Sequence, residues 1–225
     1  MQSQRAVVIG ATGLIGGHVV EELLNDEAFS KVRVLVRKTY RITHPKLEIK
    51  MVDFNNVNDY GPKMGEGDCI FCCVGTTQQK VKGDKEAYRK VDYDIAVNAA
   101  RVGWIQGFKK YLLVSSVGAN PRSSNFYLKL KGEIERDVTA ISFQSIHIFR
   151  PSMLLGKRNE FRFGEETGKG LMKPLSFLLI GPLRKYKPIQ ASDVAKATIA
   201  AAKKDITGTH IYSYDEMKSF CKFET

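Results

Sequence analysis

Long apolar runs are scarce in this chain of 225 residues. The longest apolar patch away from the N-terminus, Leu175 to Ile180, is far shorter than the ~20 apolar residues that cross a bilayer, and the N-terminus has no apolar core of a secretory leader. We therefore expect a soluble, cytoplasmic protein without a transmembrane segment. Internal repeats and low-complexity stretches are also absent, so the 43% hydrophobic content favours one domain over residues 1–225.

Cysteine is sparse too, with four residues, and their spacing argues against a metal site. Cys69 and Cys72 spell C-x-x-C in an apolar run typical of a buried strand, where residues an odd number apart face opposite sides. Cys69 and Cys73 share a face, but four strand steps separate them by ~13 Å, too far for a common ligand or a disulfide. Cys221 has no partner in the sequence. We expect small core side chains and no metal.

The charge is strongly one-sided, with 35 basic against 24 acidic residues and a net charge of +11. Such an excess suits nucleic acid, a membrane surface or an anionic small molecule. However, lysine and arginine are spread along the whole chain, without an RNP-type motif, zinc-finger spacing or basic tail. Nucleic acid is therefore disfavoured as a partner. The binding of an anionic cofactor explains the positive net charge equally well.

Apolar runs typical of strands alternate with segments of helical spacing. The predicted strands are 5–10, 32–37, 47–52, 69–74, 110–115 and 145–149, and the predicted helices are 14–25, 84–102 and 126–139. This order predicts an α/β fold, a doubly wound parallel sheet of the Rossmann type with helices on both faces and ligands outside the carboxyl ends of the strands.

The alternation breaks after Pro151 and resumes with a helix at Ala191. Residues 151–190 are interpreted as a small C-terminal substrate lobe or lid, or else as a segment that only caps the sheet. Between Lys157 and Lys187 there are eight basic and three acidic residues, which favours an anionic substrate or surface near the lid.

A glycine turn between the first strand and the first helix is the strongest local motif. In its G-x-x-G-x-x-G spacing the first glycine permits a sharp turn, the second a close approach to a pyrophosphate, and the third tight packing of the helix on its strand. The N–H groups at the start of the helix would face the phosphates. The alternative is a tight turn without a ligand. The predicted contacts are Gly10, Thr12, Gly13, Leu14, Ile15 and Gly16.

The ends of the next strands indicate which dinucleotide binds. The second strand ends in Arg37 and Lys38, where an NAD site usually presents a carboxylate. A guanidinium pairs with the 2′-phosphate of NADP, so NADP(H) is favoured, although Arg37 could also be a solvated charge. Asp53 and Phe54 are placed to bind adenine, and Val74-Gly75-Thr76 to run beside the dinucleotide.

Residues suited to proton transfer follow the fifth strand. The strand ends in Ser115-Ser116, and the next helix carries Tyr127 and Lys131 on one face. An adjacent ammonium favours the phenolate and suits the phenol to acid–base work, while a serine hydroxyl can hold a carbonyl oxygen. The alternative is an ordinary half-buried tyrosine beside a solvated lysine.

Together these motifs resemble the short-chain dehydrogenase/reductase superfamily in its atypical division. The later Arg150-Pro151-Ser152 and Asp193-Val194-Ala195 belong to the same set, and runs 123–135 and 149–156 are similar to the branch of the Tat-interacting oxidoreductase. The likeness extends to about residue 205. It implies a Rossmann fold, NADPH binding at Gly10, Gly13, Gly16, Arg37 and Lys131, and a catalytic triad of Ser116, Tyr127 and Lys131, with Ser115 as the substitute for Ser116.

One departure concerns the proton relay to solvent. Many active members of the superfamily carry an asparagine in the helix before the serine strand, and the corresponding position here is Asp92. Asn98 lies further along the same helix. We expect the replacement of this asparagine by Asp92 to affect the proton relay and, through it, the rate of turnover.

Three functions fit these residues. The leading one is an NADPH-dependent reductase of a small carbonyl compound. The alternative is an NADP(H)-binding regulatory or redox-sensing protein that contacts a protein partner and has little catalysis. The third is a nucleotide-sugar epimerase or dehydratase, which usually needs a larger substrate domain than the about 75 residues after Arg150.

Overall fold

The fold is known from a computed structural model that describes residues 3–77, 79–156 and 179–221. The strands are β1 (Gln4–Ile9), β2 (Phe29–Val36), β3 (Leu47–Met51), β4 (Cys69–Cys72), β5 (Lys110–Val114), β6 (Ser145–Phe149), β7 (Leu154–Leu155), β8 (Ile189–Gln190) and β9 (Gly208–Tyr212). The helices are α1 (Leu14–Asn25), α2 (Val57–Met64), α3 (Lys85–Arg89), α4 (Ile95–Ile105), α5 (Phe126–Thr139), α6 (Ala191–Ala202) and α7 (Tyr214–Phe220). A π-helical turn (Lys90–Asp94) joins α3 to α4, and a 3₁₀ helix covers Gly181–Tyr186.

Seven strands form one parallel sheet in the order β3-β2-β1-β4-β5-β6-β9. The predicted α/β fold with a doubly wound parallel sheet is therefore confirmed. The chain order of the strands reverses between β1 and β4, where a crevice opens outside the carboxyl ends of strands. The glycine turn follows β1 and Val74-Gly75-Thr76 follows β4, so both border this crevice.

Two hydrophobic cores cover the two faces of the sheet. One contains side chains of α1 and α6, and the other contains side chains of α2, α4 and α5. Central strands are buried on both sides, which explains the continuous apolar runs of β1 and β4. Cys69 belongs to the first core and Cys72 to the second, as expected for an odd spacing in a strand.

Several elements were not predicted from the sequence. Helix α2 contains Pro62, strand β9 lies at a sheet edge with mostly exposed side chains, and α7 is only seven residues long. The predicted helix 84–102 is present, but the π turn divides it. A π turn inserts one residue into the helical repeat, and such turns are frequent at functional sites.

The segment interpreted as a lobe is only partly described. Its described ends contribute the short pair β7–β8 and the 3₁₀ helix, whereas residues 157–178 lie outside the described residues. Most of the basic run from Lys157 to Lys187, and most of the apolar patch from Leu175, fall in that part. In the part of the chain that the structure describes, no helix is long and apolar enough to cross a membrane.

Candidate cofactor groove and active site

A continuous groove lies at the carboxyl edge of the sheet, at the point where the strand order reverses. Its outer part, with about 660 Å³ of empty space, is lined by Gly10, Ala11, Thr12, Gly13, Leu35, Val36, Arg37, Phe54, Cys73, Val74, Gly75, Thr76, Lys80, Val91 and Ile95. Its inner part, with about 420 Å³, is lined by Gly13, Leu14, Ile15, Cys73, Val74, Gly75, Val114, Ser115, Tyr127, Lys131, Pro151 and Leu154. Because four residues line both parts, an elongated ligand could run through both.

The glycine turn forms one wall of the groove. Gly10 has φ +87°, and a Cβ there would lie 2.7 Å from the carbonyl carbon and oxygen of Cys73. A Cβ on Gly16 would lie 2.1 Å from the carbonyl oxygen of Gly10, so only glycine lets α1 approach β1 this closely. Helix α1 has no side-chain cap and no acidic residue in its first turn. The positive end of its dipole therefore faces the groove without a protein anion.

The outer groove contains some of the residues predicted to contact adenosine. Arg37 and Phe54 line it, and Lys80, which the sequence did not single out, lies there as well. Lys38 and Asp53 are not among its lining residues. One carboxylate oxygen of Asp53 instead accepts hydrogen bonds from the backbone and side-chain nitrogens of Asn55, both at 2.9 Å.

The inner groove brings Tyr127 and Lys131 together. Both lie on α5, which begins where the side chain of Asn125 accepts a hydrogen bond from the Leu128 amide. The Lys131 ammonium is 5.9 Å from the centre of the Tyr127 ring. Tyr127 is half-buried, and its ring makes an edge-to-face contact with the ring of Tyr88 of α3. The helix thus presents a phenol and an ammonium to one side of the groove.

A buried carboxylate joins Lys131 to the opposite wall. Asp92 is 1% exposed and Lys131 4% exposed, and Asp92 Oδ2 lies 2.9 Å from Lys131 Nζ. Asp92 Oδ1 accepts a 2.6 Å hydrogen bond from the Thr76 amide, while the Thr76 carbonyl accepts one from the Tyr88 hydroxyl. Asp92 reaches these partners from the π turn. Asn98, six residues further along in α4, does not line the groove.

Of the two adjacent serines, Ser115 lines the groove and Ser116 does not. The buried Ser115 hydroxyl donates to Glu135 Oε1 at 2.5 Å, and the Glu135 carboxylate also accepts two hydrogen bonds from Arg150. Ser116 is half-buried and donates a long 3.4 Å bond to the Val117 carbonyl. The geometry therefore brings Ser115, the substitute in the predicted triad, to Tyr127 and Lys131.

The residues present fit a dinucleotide. The glycine turn lets the backbone of α1 approach β1 and the loop after β4 closely, the uncapped helix supplies N–H donors, and Arg37 and Lys131 supply positive charge in the outer and the inner part. Cys73 lies where the two parts meet, and burial raises the pKa of its thiol, which keeps the thiol neutral beside an anionic ligand.

Sequence reasoning missed much of the apolar lining. Val91 and Ile95 reach the outer groove from the π turn and α4, and Pro151 and Leu154 reach the inner groove after β6. The sequence contains a signal for Pro151 in the Arg150-Pro151-Ser152 motif. It contains none for Val91, because the extra residue of the π turn decides which side chains of that helix face the groove.

Comparisons with known proteins match this description. The model of a family described as NAD(P)H-binding matches residues 10–205. The protein HTATIP2 of Rattus norvegicus is 34% identical over 168 residues, 73% of this chain and 69% of that protein. The mitochondrial protein FMP52 of Candida albicans is 31% identical over 207 residues, 89% of each chain. The chain is thus similar to both over most of its length.

Solved structures show the same fold at low sequence identity. The Bordetella bronchiseptica enzyme WbmH in complex with NAD⁺ has a TM-score of 0.71 at 16% identity, covering 94% of this chain and 76% of that one. MoeE5 in complex with UDP-glucose and NAD has a TM-score of 0.69 at 17% identity, covering 98% and 82%. At this identity the likeness concerns the fold alone.

The expected location needs correction. Relatives from Candida albicans, Scheffersomyces stipitis, Kluyveromyces lactis and Candida glabrata are named mitochondrial proteins. The prediction of a cytoplasmic protein is therefore wrong. The error has a simple source, because the prediction rested on the lack of a long apolar run, which carries no information about transport into an organelle.

Proposed function

The chain belongs to the NAD(P)H-binding family, as its motifs predict, and from this premise we propose that it is an NADPH-dependent reductase of a small carbonyl compound. The observation that carries the proposal is that the uncapped glycine turn lines both parts of the groove, while the Tyr127–Lys131 pair lines the inner part beside it. A phosphate site alone would suit any nucleotide-binding protein. A phenol beside an ammonium in the inner part suits proton transfer to a carbonyl oxygen.

Each residue of the inner groove has a distinct part in this proposal. Tyr127 donates its phenolic proton to the carbonyl oxygen of the substrate, and the nearby Lys131 ammonium stabilises the phenolate that remains. A bound nicotinamide would supply the hydride. The Ser115 proton is bonded to Glu135, so its hydroxyl oxygen orients the substrate by accepting from a donor group next to the carbonyl. The apolar side chains of Pro151 and Leu154 exclude water from the same end of the groove.

The choice of NADPH over NADH depends on Arg37. This guanidinium lines the outer groove at the end of β2, where a ribose 2′-substituent would be expected. Its planar donors suit a phosphate, and Lys80 lines the same part of the groove.

Substitution of Tyr127 tests the proposal directly. Tyr127→Phe removes the proton donor and keeps the ring, so we expect reduction of a panel of small aldehydes and ketones to fall at least ~100-fold, in the range typical of acid–base catalysis. NADPH affinity, measured by fluorescence titration, should stay within about twofold of the wild type. The matched control is Tyr93→Phe, whose hydroxyl is bonded to Asp137 and which does not line the groove. Equal turnover in Tyr127→Phe and the control would contradict the proposal.

A binding protein with little catalysis is the second candidate, and one observation favours it. The polar groups of the inner groove are already paired inside the protein, Lys131 with Asp92 and Ser115 with Glu135. Polar side chains that are already paired with each other suit a site that binds a dinucleotide without catalysing a reaction. NADPH binding without any turnover in the same substrate panel, together with a protein partner whose affinity depends on NADPH, would select this candidate.

A further inference from the structure

We propose that Asp92 is a positioning residue that keeps Lys131 charged and ties it to the wall that follows β4. The catalytic part of this inference rests on the proposed function, whereas its binding part does not. The carboxylate performs two tasks, since one oxygen lies 2.9 Å from Lys131 Nζ and the other accepts from the Thr76 amide at 2.6 Å. The two sides of the inner groove are thereby connected through one side chain.

Burial makes this contact decisive for the charge of Lys131. The lysine is 4% exposed and the aspartate 1% exposed, so water screens neither of them. A buried ammonium loses its proton at a lower pH unless a counter-charge compensates for the lost hydration. Asp92 supplies such a counter-charge from the π turn.

Among residues 3–77, 79–156 and 179–221, the other titratable groups that face Lys131 do not supply this negative charge. From β4, Cys72 faces the pair, and burial raises the pKa of its thiol, which therefore stays neutral. On α5, the centre of the Tyr127 ring lies 5.9 Å from Lys131 Nζ on the groove side, and Glu135 is engaged by Arg150. Among the described residues, Asp92 is the carboxylate that contacts Lys131.

The variant Asp92→Asn separates the two tasks. The asparagine carbonyl can still accept from the Thr76 amide, but the negative charge beside Lys131 is gone. If Asp92 keeps the lysine charged, Lys131 should lose its proton at a lower pH in this variant than in the wild type. The attraction between Lys131 and a bound dinucleotide should then be lost at that lower pH. A merely structural role would lower stability without moving that pH.

The experiment measures NADPH affinity by fluorescence titration between about pH 6 and 10 in four proteins. In Asp92→Asn we expect the alkaline loss of affinity to begin at least about one pH unit below that of the wild type. The matched control Glu133→Gln removes a different ion pair of α5, with Arg89 at 2.6 Å, and should follow the wild type. The double variant Asp92→Asn/Lys131→Met has neither charge of the buried pair, so it should fold. Its NADPH affinity should no longer fall at alkaline pH.

Coinciding affinity profiles of Asp92→Asn, Glu133→Gln and the wild type would overturn the inference. If Asp92→Asn does not fold, the double variant provides the test. An NADPH affinity that still falls at alkaline pH in the double variant would overturn the inference. With an active enzyme, the alkaline limb of kcat/KM should also move down by about one unit in Asp92→Asn. A wild type that binds NADPH but turns over no carbonyl would contradict the proposed function and leave the affinity measurement intact.

Discussion

At the scale of single residues, hydrogen bonds between protein side chains fix the orientation of the polar groups that line the inner groove. Ser115 gives its proton to Glu135, which Arg150 holds in place, so Ser115 offers oxygen lone pairs to the groove. A substrate hydroxyl or the Tyr127 phenol is the partner such an acceptor suits. The neighbouring Ser116 lies outside the lining. The hydrogen bond from Ser115 to Glu135 thus determines that Ser115 presents an acceptor, and no donor, to the groove.

The proposed preference for NADPH can be tested at Arg37. Arg37→Ala removes a guanidinium from the outer groove, and a lost charge-assisted hydrogen bond typically costs ~1.5–3 kcal/mol, so the Kd for NADPH should rise about 10- to 100-fold. The Kd for NADH should change less than about threefold, because NADH lacks the 2′-phosphate. Isothermal titration with both nucleotides measures the difference.

A nearby arginine provides the control for that measurement. Arg41 is exposed and does not line the groove, so Arg41→Ala should leave both Kd values near those of the wild type. Parallel weakening of NADPH and NADH in Arg37→Ala would mean that Arg37 contributes general positive charge and does not discriminate between them.

The residue scale also marks the limit of sequence-based prediction. Spacing predicted that Tyr127 and Lys131 share a helix face, and they do, because that depends only on the helical repeat. Spacing could not decide between Ser115 and Ser116, since the direction of a side chain after a strand depends on the following loop. Likewise, Asp92 was recognised as a departure, but its contact with Lys131 comes from two elements far apart in the chain.

At the scale of elements, the junction of β1 and α1 depends on one glycine. In Gly16→Ala the new methyl group would lie 2.1 Å from the Gly10 carbonyl oxygen, a backbone atom that cannot swing away, so α1 must shift from β1. Overpacking of this kind costs ~1–3 kcal/mol, and the displaced helix end should also weaken NADPH binding by at least about tenfold. Denaturant unfolding and fluorescence titration measure the two effects.

The next residue gives a matched control within the same helix. A Cβ on Gly17 would meet nothing closer than the Ala11 carbonyl oxygen at 3.7 Å, an ordinary contact. Gly17→Ala should therefore keep NADPH affinity and raise the free energy of unfolding by up to about 1 kcal/mol through helix propensity. Similar losses in both variants would show that the close approach of Gly16 is not the cause.

Elements with strong periodicity were predictable, and those that depend on tertiary contacts were not. The six strands from β1 to β6 were predicted because buried central strands form continuous apolar runs. Strand β9 was missed because it lies at the sheet edge, where few of its side chains are buried. The π turn was missed because an inserted residue leaves no mark on hydrophobic spacing over five residues.

At the scale of the whole molecule, a buried histidine should make stability depend on pH. His147 is fully buried, with its ring nitrogens 3.0 Å from the Tyr212 hydroxyl and 3.2 Å from Ser145 Oγ. Burial first, and then His210, lower its pKa to about 4. The unfolded chain, with an ordinary histidine pKa of ~6.5, binds this proton first, so stability falls as pH falls from about 6.5 towards 4, by roughly 1.4 kcal/mol per unit.

Global unfolding at several pH values tests this expectation. The variant His147→Gln can bond the same two hydroxyls but does not titrate, so its free energy of unfolding should change less steeply between about pH 6.5 and 4.5. The carboxylates with lowered pKa, such as Glu48 at about 2, lose their stabilising contribution below that window and do not confuse the comparison. Equal slopes in the two proteins would exclude His147 as the source.

The strand order has a consequence for how the protein is made. Every strand of the large sheet after β1 pairs with one that precedes it in the chain: β2 and β4 with β1, β3 with β2, β5 with β4, β6 with β5, and β9 with β6. As the polypeptide leaves the ribosome, each new strand therefore finds its neighbour already synthesised, and the sheet can grow outward from β1 without waiting for a later segment. The two walls around the glycine turn are complete once β4 and its following loop have emerged, long before α5 delivers Tyr127 and Lys131.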